Sequence, residues 1–265
     1  MFLGDFHVHS SFSDGKLSIP ELVDLYGGAG FGALAITDHL CERGTWLGQA
    51  ARQLQHTLTP ATFPLYIEIL RSERRRAWEE YRMVLIPGFE LTKNSVSNSR
   101  SSHIVALGVE EWIDADGDAV ELCAAIRAQG GLAIAAHPVS TRKMEKQTFH
   151  LWDRREELKS CFDAWEVASG PYLFTEVLRE NLPKIASSDL HHPRQLRSWK
   201  TQFTGARDRE SIFEAIRKQE ITYRFYEPIK PKRQERQDGL HHWLDPHGLD
   251  RIARDLDLGH TYRAE

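Results

Sequence analysis

Cysteine is scarce: Cys41, Cys123 and Cys161 are odd in number, widely spaced and form no Cys-x-x-Cys pair. That argues against a disulfide framework and fits a reducing compartment. No apolar stretch approaches the roughly 20 residues needed to cross a bilayer, so no membrane partner is expected. The opening run Phe2-Leu-Gly-Asp-Phe-His-Val8 lacks a basic segment ahead of an apolar one. It reads as a buried strand and not as a targeting peptide, and the expected location is cytoplasmic. There is no G-x-G-x-x-G or Walker-type loop to cradle a nucleotide, and no internal repeat. Neither sign of charge dominates. A net charge of −4 gives no global pull toward nucleic acid or anionic lipid, although a local basic patch stays open.

What is present is a core's worth of apolar residues, 41% of 265, in short runs separated by helical patterns. The runs lie near 2–8, 33–37, 84–91, 103–108, 132–136, 163–167 and 185–188, and each is bounded by turn residues. They read as strands buried on both faces. Ser18-Ile-Pro-Glu21 starts a helix with a capping box and a proline in its first turn, and glycines at 27, 28 and 30 end it. Ala119 to Gln129 and Glu210 to Lys218 repeat the helical pattern. Strands alternating with helices imply parallel βαβ units. The expected class is therefore α/β, a distorted seven-stranded (β/α) barrel with a helical insertion after the second strand. The expected boundaries are a catalytic barrel over 1–226 and a polar tail over 227–265. The insertion, 42–82, reads either as a substrate lid or as a helix packed on the outside. Barrels of this length commonly form one domain.

Six histidines and three carboxylates stand at the ends of those runs: His7, His9, Asp14, His39, Glu90, His103, His137, Asp189 and His191. Imidazole and carboxylate without thiolate suit a catalytic cluster of borderline or hard divalent ions. Nine donors exceed what one tetrahedral ion takes, so the pattern predicts a multinuclear centre. A lone histidine in an apolar run is more often a satisfied core group, but that reading needs nine coincidences at strand ends. Period-2 alternation places His7 and His9 on one face of a strand, aimed at a barrel axis. In such barrels chemistry sits at the C-terminal strand ends. His103 is the exception, because it opens its run.

These residues resemble the PHP family, named for its polymerase-associated and histidinol-phosphatase members. The matching motifs are Asp5-x-His7-x-His9-x4-Asp14-Gly, Ile36-Thr-Asp-His39, Pro87-Gly-x-Glu90, His103, Ala136-His137-Pro and Ser188-Asp189-x-His191. The resemblance implies the distorted seven-stranded barrel and two or three divalent ions (Zn, Mn or Fe). It implies a first ion on His7, His9, Glu90 and Asp189, and a second on His103 and His137, bridged by Glu90. A third ion would sit on Asp14, His39 and His191. Some relatives carry histidine in place of Asp14, so the identity of that ion is open.

Three carboxylates against as many as three divalent ions leave a positive pocket that attracts an oxyanion. A hydroxide held between two ions would attack phosphorus in line with the leaving oxygen. Glu90 and Asp189 are the expected catalytic carboxylates. Arg142 and Arg194 are the expected phosphate contacts, with Lys143, Arg197 and Arg100 as further choices and Lys93, Asn94 and Lys200 behind them. Asp38 reads either as an orienter of a bound imidazole or as outward-pointing, and His192 as a competitor of His191. The expected function is a phosphoesterase acting on a small phosphorylated metabolite or nucleotide. The alternative is a nuclease on RNA or DNA, for which Arg74-Arg-Arg76, Trp78 and Tyr81 offer a basic and aromatic surface. A non-catalytic binding module and an amide hydrolase complete the field.

Overall fold

The computed structural model describes residues 1–54, 56–94, 101–139 and 149–227. Among the described residues eleven strands run in chain order as β1 (Phe2–Asp5), β2 (Ala33–Ile36), β3 (His39–Cys41), β4 (Val84–Lys93), β5 (Ser102–Leu107), β6 (Leu132–Ala135), β7 (Ala164–Ser169), β8 (Tyr172–Leu173), β9 (Lys184–Ser187), β10 (Trp199–Phe203) and β11 (Ile221–Phe225). Helices are α1 (Ile19–Gly28), α2 (Trp46–Gln53), α3 (Phe63–Tyr81), α4 (Ala119–Ala128), α5 (Phe149–Asp153), α6 (Arg155–Leu158), α7 (Thr175–Arg179) and α8 (Arg209–Lys218). Among the described residues no helix is long and apolar enough to cross a membrane.

One mixed sheet follows the order β11-β10-β1-β2-β4-β5-β6-β7-β8, with β3 beside β4 and β9 beside β7. It curls on itself. A bridge between Val8 and Leu190, and bonds between Thr201 Oγ1 and the Ala186 backbone, bring the β1–β10 side against β9. Side chains alternate across it. Leu34, Ile36, Leu85, Phe89 and Ile104 pack with α1, α3 and α4 on the outer face. Ala33, Ala35, Ile86, Val105 and Ile134 pack with Ile212, Phe213 and Ile216 of α8 on the inner one. The buried strands read as continuous apolar runs because both faces are covered.

Two features differ from a simple parallel repeat. β5 is antiparallel to both β4 and β6, so its first residues lie at the end where its parallel neighbours finish. That reversal is why His103 opens its strand and still reaches the same rim. β10 and β11, joined through α8, form an antiparallel pair on β1 that lies outside the apolar runs. Its outer strand alternates Ile221, Tyr223 and Phe225 with polar residues, the half-exposed pattern of an edge strand.

The capping box of α1 is in place, with Ser18 and Glu21 exchanging hydrogen bonds. α3, the second half of segment 42–82, buries Phe63, Tyr66, Ile67, Leu70 and Ala77. The Tyr66 hydroxyl lies 3.0 Å from the Ile36 carbonyl and 2.7 Å from that of Gly88, tying α3 to β2 and β4. Residues 228–265 lie outside the described residues.

Candidate metal centre

All nine donors converge on one rim of the curled sheet. His7 and His9 follow β1, Asp14 sits in the loop to α1, and His39 opens β3. Glu90 and His103 face each other from β4 and β5, His137 follows β6, and Asp189 and His191 follow β9. Glycines shape the approach. A Cβ on Gly15 would lie 2.1 Å from the His9 carbonyl oxygen, so only glycine lets the loop fold Asp14 inward. A Cβ on Gly88 would lie 2.6 Å from the Ala106 oxygen, where β4 and β5 close up beneath Glu90. His137 (φ 26°) and Asp189 (φ 52°) adopt left-handed backbone, a strained state that persists only when neighbours hold it.

Glu90 is the hub. Its Oε1 lies 3.2 Å from His7 Nε2, 3.0 Å from His103 Nδ1 and 3.4 Å from His137 Nε2. Its Oε2 lies 2.6 Å from His39 Nδ1. Asp189 Oδ1 reaches His7 Nε2 at 3.4 Å and His9 Nε2 at 3.2 Å. Asp14 Oδ1 lies 3.2 Å from His191 Nε2 and 3.6 Å from His39 Nε2. Four overlapping sets of donors result: His9, Asp14, His39 and His191; His7, His137 and Asp189; His7, His9 and Glu90; His39, Glu90 and His103. His9 borders both halves, its Nδ1 turned to Asp14 and its Nε2 to Asp189.

The donor set fits divalent ions on a physical test. His7 Nε2, both ring nitrogens of His9 and Asp14 Oδ1 are buried without a hydrogen-bond partner. Buried polar atoms are normally satisfied, and here the orphaned atoms are lone-pair donors pointing at one another. Burial, reinforced by His191 and His39 alongside, pushes His9 down to about 3, which keeps the ring neutral and able to ligate. Burial alone would raise Glu90, but His103, His7 and His39 outweigh it and hold that carboxyl well below its ordinary value. Asp189 behaves likewise, its burial overcome by His7 and His9. His7, His9 and Glu90 are fully buried, whereas the Asp14 and Asp189 side chains remain 33% and 28% exposed. The centre thus has a closed floor and opens on the Asp14–Asp189 side.

The sequence reading missed Glu166. This fully buried residue of β7 places Oε1 3.0 Å from His7 Nδ1, while its Oε2 accepts the His137 backbone N–H at 2.6 Å. It fixes the His7 tautomer with the proton on Nδ1 and the lone pair toward Glu90, and pins the strained His137 backbone. The only signal in the chain is a carboxylate inside an apolar run. The β7–β9 register shifts between Glu166 and Ala168, a bulge of the kind that re-aims side chains beside sites. Asn94, one of the weaker expected phosphate contacts, places its Oδ1 3.1 Å from His103 Nε2, where it backs that ring.

Asp38 neither orients an imidazole nor points outward. It accepts from the Ser10 N–H (2.8 Å), Ser10 Oγ (2.6 Å) and Ser13 Oγ (2.6 Å), and so clamps the loop that carries Asp14. Asp38→Ala is expected to strand the Ser10 N–H at about 1–3 kcal/mol and to lower metal content by one ion per chain. Elemental analysis checks this, and an unchanged content would show that the loop holds Asp14 without the clamp.

The expected anion contacts are placed unevenly. Arg142, Lys143 and Arg100 lie outside the described residues. Arg194 is exposed, and Arg197 pairs with Glu227 at 2.7 Å. Lys93 Nζ donates to the Asp116 and Gly117 carbonyls. Lys200 is buried on the outer face against Asp5, away from the rim. The His192 ring accepts the Arg194 N–H and caps the short turn Pro193–Leu196, leaving His191 to face Asp14.

No protein-family model and no curated protein matches the sequence. Among solved structures the fold is similar to a two-domain protein from Bacteroides vulgatus described as containing a predicted PHP-like metal-dependent phosphoesterase. The TM-score is 0.59 at 23% identity, covering 85% of this chain and 65% of that one, so the chain spans about two thirds of that protein's length. Looser likenesses are to a candidate metal-dependent phosphoesterase from Bifidobacterium adolescentis (TM-score 0.42, 18% identity, 71% of this chain and 87% of that one). Another is an amidohydrolase from Chromobacterium violaceum solved with bound sulfate and no metal (0.48, 16%, 83% and 97%). The chain shares with the Bacteroides protein a mixed α/β fold, with a curled sheet whose rim gathers nine potential ligands.

Proposed function

We propose that the chain is a metal-dependent phosphoesterase of the PHP family that hydrolyses a small phosphorylated metabolite or nucleotide. The observation that carries this reading is the convergence of nine histidine and carboxylate donors, several of them buried and orphaned, in one open-mouthed rim. In this reading β1, β2, β4, β5, β6, β7 and β9 are the seven strands of a distorted barrel, and residues 1–226 are one catalytic unit.

His7, His9, Glu90 and Asp189 would hold a first divalent ion, Glu90 with His103 and His137 a second, and Asp14, His39 and His191 a third. When bound, such ions (Zn, Mn or Fe) lower the pKa of water toward neutrality and neutralise charge developing on phosphoryl oxygens. The chain's own groups supply the frame. Glu90 joins two sets of imidazoles through one carboxylate, and Glu166 locks the His7 tautomer. The buried floor of His7, His9 and Glu90 excludes water from below, so a phosphate ester enters from the side of Asp14 and Asp189. Glu90 at the shared position also leaves no role for the carboxylated lysine of an amide hydrolase.

The nuclease alternative loses its main support. Arg74 is paired with Glu110, and Arg76 with Asp24, Glu73 and Glu80. Arg74 and Trp78 line a cavity of about 530 Å3 at the opening of β4, beside Val84 and Leu85. The strand rises about 20 Å from Val84 to Glu90 over its extended chain.

A substrate screen tests the proposal. The metal-loaded protein would be offered nucleotides, sugar phosphates, histidinol phosphate and short oligonucleotides, with Mn or Zn added. Phosphate release from one of the small monoesters, with oligonucleotides left intact, is the expected result. Cleavage of oligonucleotides alone would install the nuclease, and no turnover by a fully loaded protein would leave a binding module.

A further inference from the structure

Behind the rim, on the helix-facing side of the sheet, lies a second buried ionic group with no part in the ligand set. Lys200 and Asp5 are both fully buried, with Lys200 Nζ 2.7 Å from Asp5 Oδ2 and 2.6 Å from Ser198 Oγ. The Tyr26 hydroxyl of α1 donates to the same Oδ2 at 2.7 Å. The other carboxylate oxygen, Oδ1, accepts the backbone N–H of Ser188 at 2.9 Å. Ser188 immediately precedes Asp189, and Ser188 Oγ also lies 3.3 Å from the Tyr26 hydroxyl.

Burying a charge pair in a sheet that apolar residues could fill seldom adds stability by itself. Its value here is local. Asp189 is held at φ 52°, a left-handed conformation that costs an aspartate free energy which neighbouring bonds must offset. On its far side the turn is fixed by Leu190 N–H to the His7 carbonyl (3.3 Å) and by His9 N–H to the Leu190 carbonyl (2.8 Å). On its near side the bond from Ser188 to Asp5 does the same.

We infer that Asp5, charge-compensated by Lys200, is a positioning residue that holds Asp189 in its left-handed backbone and so sets the geometry of the ion site formed with His7 and His9. The acceptor at Asp5 is the active element, and Lys200 with Tyr26 makes a buried acceptor tolerable. Removing the charges while keeping the acceptor therefore spares the site. Removing the acceptor loosens it even when the core stays well packed.

The inference rests on the metal-centre reading, and the test separates the two. Zn affinity is measured by competition with a chelator, alongside thermal melting, for the wild type and the double variants Asp5→Asn/Lys200→Met and Asp5→Leu/Lys200→Met. The asparagine variant should bind Zn as the wild type does. The leucine variant should melt near the wild type and bind Zn roughly 10–100-fold more weakly, the scale typical of partners that orient ligands. Asp5→Ala/Lys200→Met, which also removes the acceptor, should show a loss in the same direction and serves if the leucine variant does not fold. Wild-type affinity in the leucine variant, or in the alanine variant if the leucine variant fails to fold, would overturn the positioning role. A wild type that binds none of Zn, Mn and Fe in the same assay would overturn the metal centre itself.

Discussion

Glu90→Gln is expected to strip the centre of the two ions that Glu90 would join and, on the proposed function, to reduce phosphoesterase turnover by about a thousandfold, the upper range for loss of a preorganised electrostatic group. The side chain is fully buried, and one oxygen lies within 3.0–3.4 Å of ring nitrogens from His7, His103 and His137. Glutamine preserves volume and one acceptor. It removes the charge that divalent ions need and turns an amide NH2 toward either that trio or His39 Nδ1, 2.6 Å from the other oxygen. Because the shape is unchanged, the variant should fold, and its melting temperature should respond far less to a chelator than that of the wild type. Turnover and metal content near those of the wild type would show that Glu90 is not the bridging ligand.

Glu166→Gln should lower metal affinity by about 10–100-fold, although Glu166 would touch no ion. Its two oxygens face two donors, His7 Nδ1–H at 3.0 Å and the His137 N–H at 2.6 Å. Glutamine has one acceptor and one donor, so either orientation sets an NH2 against an N–H. If His137 keeps the acceptor, His7 must move its proton to Nε2, the nitrogen that faces Glu90 and Asp189, and can then no longer ligate. If His7 keeps the acceptor, the His137 N–H is stranded at a cost of about 1–3 kcal/mol. A chelator titration of the two proteins decides the matter. Equal affinities would mean that His7 and His137 are held in place by other contacts.

Much of this is legible in the sequence. The seven apolar runs became β1, β2, β4, β5, β6, β7 and β9, because strands buried on both faces must be apolar throughout, whatever the sheet's topology. The nine donors stood out because polar residues closing such runs cost free energy unless they share a task. What escaped detection was direction. Nothing in Ser102–Leu107 says that β5 runs backwards, yet its reversal is what brings His103 to the rim. Glu166 was visible only as an acid within an apolar strand, and a bulge beyond it decides where it points. Asp38, adjacent to His39, was ambiguous by alternation, and only the loop at Ser10 and Ser13 shows what it holds. Lys200 sits among polar residues in β10 and gave no sign of complete burial.

The central claim is that the rim binds two or three divalent ions. Elemental analysis of the protein, reconstituted separately with Zn, Mn and Fe and freed of excess metal, measures this directly. Two or three ions per chain with at least one of these metals, falling to one or none in Glu90→Gln, is the predicted result. A folded wild-type protein that retains no ion with any of the three would contradict it.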